Sequence, residues 1–177
     1  MTSYDFGFDG YQPIWRHYED ARQVARDCLG RHVRSRLLDV RGVLDAEGWL
    51  PDWPIVLEFE SGAVSINTKC DRDWTIDAWN GFPFRSEDES NRGLCYASVL
   101  FLPNLERLKG KVLDEVLWPS NRAHGIVQCF FLRFGEHVLR IFDAGDQLGL
   151  SAIESSHLLT GTECITCSDV NVSTAVD

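Results

Sequence analysis

Alternation of apolar and polar residues marks two stretches of the chain as β-hairpins. In the first, positions 56–60 and 63–67 read Val-Leu-Glu-Phe-Glu and Ala-Val-Ser-Ile-Asn, joined by a turn at Glu60-Ser-Gly62. In the second, positions 128–134 and 137–142 flank Gly135-Glu136. Successive side chains of a strand point to opposite faces, so this period of two predicts half-buried strands. Glycine supplies the backbone angles that such turns need. A different period governs residues 13–29, where Ile14, Tyr18, Ala21, Val24, Ala25 and Cys28 recur mostly three or four apart. That spacing predicts an amphipathic helix packed by one face on a sheet, with Pro13 in its first turn and Gly30 as its stop. A shorter helix is predicted at 105–108, capped by Asn104 and followed by Gly110.

The two hairpins echo one another. Leu57-Glu-Phe59 is followed after six residues by Ile66, and Leu132-Arg-Phe134 after six residues by Ile141. Val64 and Leu139 each stand five residues after their Phe, and Asp71 and Asp146 five after their Ile. Upstream, Gly30-Arg-His-Val33 matches Gly110-Lys-Val-Leu113 in outline. Such self-similarity implies duplication of one supersecondary unit. The predicted fold is α+β: an antiparallel β-sheet built from two duplicated hairpin units, with an N-terminal amphipathic helix packed on it; the duplication suggests one continuous sheet, and the sequence leaves two packed sheets as the alternative. Residues 1–177 form one domain, its copies at about 30–80 and 110–152 joined by a polar loop at about 81–93. The stretch 160–177 is predicted to hold an edge strand and a frayed tail.

Composition narrows the class. At 177 residues, 44% hydrophobic and 11% aromatic, the chain is long and apolar enough for one packed core. No apolar run approaches the roughly 20 residues that cross a bilayer. The first residues carry acids and glycines where a secretory signal needs a basic start, so export by that route is not expected. Six cysteines in a chain of this size read as reduced thiols of a cytoplasmic protein. The net charge of −10 disfavours nucleic acid and anionic membrane as partners. Six arginines crowd positions 16–36, whereas no Lys or Arg follows Arg140.

Candidate chemistry is sparse. Cys164-Ile-Thr-Cys167 has the spacing of half a zinc site but lacks a second pair. Asp71, Asp73 and Asp77, with Asp143 and Asp146, could meet a hard cation, yet they fall at equivalent places after the hairpins, where Asp serves turns. Glu58 and Glu60 share a strand face and read as its wet side. The five histidines lack metal spacing, and no nucleophile elbow or phosphate loop occurs. No cofactor is assigned. The six tryptophans are less usual: Trp49 and Trp53 precede the first hairpin and Trp74 and Trp79 follow it, in a stretch from 39 to 77 with nine acids and three bases. Tryptophan anchors interfaces and also caps cores. The candidate partner-binding set is therefore Trp49, Trp53, Asp71, Asp73, Trp74, Asp77 and Trp79.

The outline Gly-base-x-Val, Leu-x-Phe, turn glycine and Ile-bearing strand, over 30–73 and 110–146, resembles small bacterial β-rich proteins of the immunity-protein type. That resemblance implies a non-enzymatic, acidic binding protein that neutralises a cognate basic toxin, and it supplies no catalytic residues. The other class is a small enzyme or ligand-binding protein using Asp71, Asp73 and Asp146 in a cleft between the repeats. A zinc protein organised by Cys164 and Cys167 is the third. Charge reversal at Asp71 and Asp73 is expected to slow association more than it lowers stability.

Overall fold

The computed structural model describes residues 13–69, 73–80, 95–119, 128–145, 147–157 and 162–163. The fold is β-rich α+β, with antiparallel strands and one α-helix. In chain order the elements are β1 (Arg16–His17), α1 (Tyr18–Gly30), β2 (Leu37–Asp45), β3 (Gly48–Trp49), β4 (Ile55–Phe59), β5 (Gly62–Lys69), β6 (Asp73–Trp79) and β7 (Cys95–Ser98). A 3-10 turn (Leu105–Leu108) leads to β8 (Glu115–Pro119), β9 (Cys129–Phe134), β10 (His137–Asp143) and β11 (Leu148–Glu154). A second 3-10 turn, Ser155–His157, precedes β12 (Thr162–Glu163).

The strands form two sheets, which corrects the expectation of one. The first has the order β1-β6-β5-β4-β2-β3, with β7 on the other side of β2; the second runs β11-β10-β9-β8-β12. Two layers let the apolar faces of both halves bury against each other, which one open sheet cannot do. Leu37, Leu57, Ile66 and Trp74 from the first sheet meet Val116, Phe130, Leu132, Leu139 and Ile141 from the second in one core. The sheets are stitched at one corner. Arg34 N–H donates to Leu113 O (2.7 Å), Leu113 N–H to Ser35 O (2.9 Å), Leu37 N–H to Lys111 O (2.9 Å) and Gly110 N–H to Leu37 O (2.7 Å).

The hairpins predicted at 56–67 and 128–142 lie one in each sheet and share a register. Leu57 pairs with Val64 and Ile55 with Ile66; Leu132 pairs with Leu139 and Phe130 with Ile141. Two-residue turns close both, at Glu60-Ser61 and Gly135-Glu136. Gly135 adopts φ +65°, a left-handed conformation that other L-residues resist. Each hairpin is flanked alike: β2-β4-β5-β6 and β8-β9-β10-β11 are four-stranded runs of the same order.

Helix α1 starts later than its apolar spacing predicts. Pro13 is not in its first turn, because Arg16 and His17 pair with Trp74 and Asp73 as a short strand. His17 stands at the N-cap, but its side chain makes no capping hydrogen bond to the helix. Ala21, Ala25 and Leu29, four apart, form the buried stripe. Gly30 remains helical instead of ending the helix in the left-handed region, and Arg34 adopts that conformation four residues on (φ 72°). Gly110 does turn left-handed, at φ +75°. Asn104 precedes the 3-10 turn but makes no capping bond with its side chain. The predicted loop at 81–93 lies outside the described residues. Of 160–177, only Thr162 and Glu163 are described, paired with Pro119 and Trp118.

Two glycines are roofed by aromatic rings, one in each sheet. The indole of Trp49 lies over Gly42, where an added Cβ would sit 2.7 Å from Nε1. The ring of Phe142 lies over Gly149 in the same way. Each ring fills the space that its glycine leaves on the sheet surface.

Candidate functional site

The outer face of the first sheet, turned away from the shared core, brings tryptophans and carboxylates together. Along β5, Val64 and Ile66 point inward, so Ala63, Ser65, Asn67 and Lys69 point outward. Along β6, Trp74 and Ile76 point inward, and Asp73, Thr75, Asp77 and Trp79 outward, opposite Lys69, Asn67, Ser65 and Ala63. A second apolar cluster sits on this outer side: Val43, Val56, Ala63 and Tyr96, packed against Trp15, Leu50, Trp53 and Trp79. Its polar floor is sealed, since Ser65, Asn67 and Thr75 are all 0% exposed.

The indoles over that floor are half-buried and fixed by polar contacts. Trp79 Nε1 donates to Ser65 Oγ at 2.9 Å, and the Asn67 amide donates to Asp52 O at 3.3 Å. The Lys69 ammonium lies 4.5 Å from the centre of the Trp15 ring, a cation–π contact. Lys69 Nζ also reaches Asp73 Oδ2 at 3.5 Å, while His17 Nδ1 lies 2.9 Å from Asp73 Oδ1. On the far side of the face, Arg41 Nε lies 3.0 Å from Glu58 Oε2 and 3.5 Å from Asp39 Oδ2, and Ser98 Oγ donates to Asp39 at 2.7 Å.

Asp77 is a polar group held at a cost. Burial pushes its carboxyl above the ordinary value of 3.8, and the charge of Arg16 offsets part of the rise. Its Oδ2 is buried and has no hydrogen-bond partner among the described residues. The raised pKa stabilises the fold fully below pH 3.8, where the carboxyl is neutral in both states, and that contribution disappears as pH rises through the folded-state value. Above its folded-state value the carboxyl is therefore charged and desolvated. Asp77→Asn is expected to raise the urea midpoint at pH 7, by an amount that shrinks as pH falls toward 4. A midpoint lowered at pH 7 would contradict this account.

The structure divides the sequence-derived set by face. Trp53, Asp73, Asp77 and Trp79 share the outer face. Trp74 is 1% exposed and points into the core, where its Nε1 donates to Gln128 Oε1 at 2.9 Å. Trp49 also packs against the main core, over Gly42. Asp71 lies outside the described residues. Three contributors escaped the sequence reading: Trp15, absorbed into an over-long helix, and Lys69 and Tyr96, brought in by strand pairing.

The other candidate chemistry is not assembled. Residues of both sheets fill the space between the halves, so Asp73 lines no cleft there. Asp146, Cys164 and Cys167 lie outside the described residues. Among the described residues no group of three His, Cys, Asp or Glu is placed to hold a metal ion. Asp143 Oδ1 accepts from Gly145 N–H at 2.9 Å and so serves its own turn. Glu58 pairs with Arg41, and Glu60 sits in the hairpin turn 3.9 Å from Arg36. Cys28 and Cys129 are free thiols that burial pushes above the usual range, which makes them poor nucleophiles. Two concavities, of about 370 and 250 Å³, open at Lys111–Asp114–Gly135 and at Arg107–His137–Glu154. No described helix is long and apolar enough to cross a membrane.

No family model matches the chain, and no curated protein or solved structure does.

Proposed function

We propose that this chain is a non-enzymatic binding protein whose outer first-sheet face docks onto a basic protein. One observation carries the reading: half-buried Trp15, Trp53 and Trp79 stand on the same face as Asp39, Glu58, Asp73 and Asp77. Rigid indoles give an interface contact area with little entropy to lose, and carboxylates steer an oppositely charged partner. The net charge of −10 acts in the same direction at long range. A carboxylate kept desolvated at a cost to stability is typical of a site retained for recognition.

The specific form proposed is immunity: neutralisation of a cognate toxin whose own basic surface serves an attack on nucleic acid. The free thiols of Cys28, Cys95 and Cys129 support a reducing, cytoplasmic compartment for that task. The common register of the two hairpins and the common order of the strands around them support an origin by duplication of one hairpin unit. In that history the first copy acquired the docking face.

The experiment is co-purification of the chain with the product of the adjacent gene, followed by binding kinetics of variants. Trp53→Ala and Trp79→Ala are each expected to weaken the complex about tenfold or more. Asp73→Lys is expected to slow association without a matching loss of stability. The reading fails if no complex forms, or if the tryptophan variants bind as tightly as the parent.

A further inference from the structure

We propose that β11 is a dimerisation edge, to which a second copy of this chain adds its own β11 antiparallel. The phase of the β10–β11 ladder carries the inference. Ala144 N–H donates to Gln147 O (2.8 Å) at one end and Ser155 N–H to Glu136 O (2.7 Å) at the other. Residues 149, 151 and 153 therefore spend their main-chain groups on β10, and 148, 150, 152 and 154 point theirs away from it. Leu148 N–H is taken by Pro51 O at 3.0 Å. The outward groups of Leu150, Ala152 and Glu154 have no backbone partner among the described residues.

Natural edge strands are blunted by lysine, proline, bulges or short length. None of these devices is present here. The pairing with β10 is an unbroken seven-residue register, from Asp143↔Leu148 to His137↔Glu154. The strand reads Leu-Gly-Leu-Ser-Ala-Ile-Glu, with one charge at its end. The other flanks are short: β1 and β12 have two residues each and β7 has four, against seven in β11.

The strand's own sequence singles out a second copy as the occupant, because it pairs with itself symmetrically about Ser151 and its one charge lies at the end. In the antiparallel register that overlaps the whole strand, Ser151 faces its own counterpart, Leu150 faces Ala152, and Glu154 faces Leu148. The two Glu154 carboxylates then stand about 20 Å apart at ~3.3 Å per residue, beyond a Debye length of roughly 8–10 Å. Two chains of net charge −10 thus meet along a seam without opposed charges. Leu150 and Ala152 exchange about four main-chain hydrogen bonds across it. The joined sheet has ten strands, within the range of open sheets.

The test is sedimentation of the full chain from about 10 to 200 µM, with far-UV spectra confirming that each variant is folded. The parent is expected to reach twice its 20.1 kDa mass as concentration rises. Ser151→Lys places two cations at the centre of the seam, and Ser151→Glu two anions. Each is expected to weaken self-association at least tenfold, and an equimolar mixture of the two to recover it as a heterodimer. Ala152→Pro removes an outward N–H that β10 does not use, so it is expected to give a folded monomer. A parent that stays monomeric throughout overturns the proposal, including when β11 pairs only with a strand of another protein. So does a dimer that none of the three substitutions weakens.

Discussion

Trp74→Ala is expected to destabilise the protein by roughly 3–5 kcal/mol, lowering its unfolding temperature by about 10 °C. The side chain is 1% exposed, and its ring centre lies 6.0 Å from that of Tyr18 and 5.6 Å from that of Phe130. Truncation opens a cavity where α1, the first sheet and the second sheet meet. It also strands Gln128 Oε1, which accepts the indole N–H at 2.9 Å. Tyr18, whose hydroxyl donates to Cys129 O at 2.6 Å, would lose the ring that orients it. Urea unfolding measures the loss directly. A cost below about 1.5 kcal/mol would mean that the three elements do not share this contact. Trp79→Ala, on the opposite face of the same strand, should cost much less stability and instead weaken partner binding.

The second large effect is expected from the smallest change. Gly42→Ala should cost about 2 kcal/mol, although alanine is ordinarily better than glycine within a strand. An added Cβ would meet Trp49 Nε1 at 2.7 Å, Trp49 Cδ1 at 2.8 Å and Val99 Cγ1 at 3.0 Å. Lifting the indole exposes Leu44 and the end of the core beneath it. A double-mutant cycle isolates the cause. In a Trp49→Ala background the same methyl should cost less than about 0.5 kcal/mol, because the obstructing ring is gone. An equal cost in both backgrounds would assign the effect to the backbone.

These two tryptophans show where the sequence was legible and where it was not. The hairpins β4–β5 and β9–β10 could be read directly, because period-two alternation, a tight turn and glycine agreed with one another. The faces of β6 were also within reach: Trp74 and Trp79 are five apart, an odd number, so in a strand they point to opposite sides. Grouping tryptophans by proximity along the chain hid that parity. Strand β1 could not have been found, because two residues, Arg16 and His17, are extended only by pairing with Trp74 and Asp73. The same pairing brings Trp15 to the outer face and removes it from the helix that its neighbours' spacing predicts. The separation into two sheets was hidden as well. It depends on the stitch between residues 34–37 and 110–113, polar backbone contacts that leave no trace in side-chain pattern.

That stitch has a kinetic consequence. Leu37 and Gly110 are joined across an intervening length of chain nearly half the molecule, so a loop of that size must close before either meander is fully anchored. Closure of so long a segment is slow and yields no contacts until it is complete, which places the protein among folders of high contact order. During synthesis the first meander emerges with its apolar side uncovered and waits for the second, a window in which a chaperone has reason to hold it.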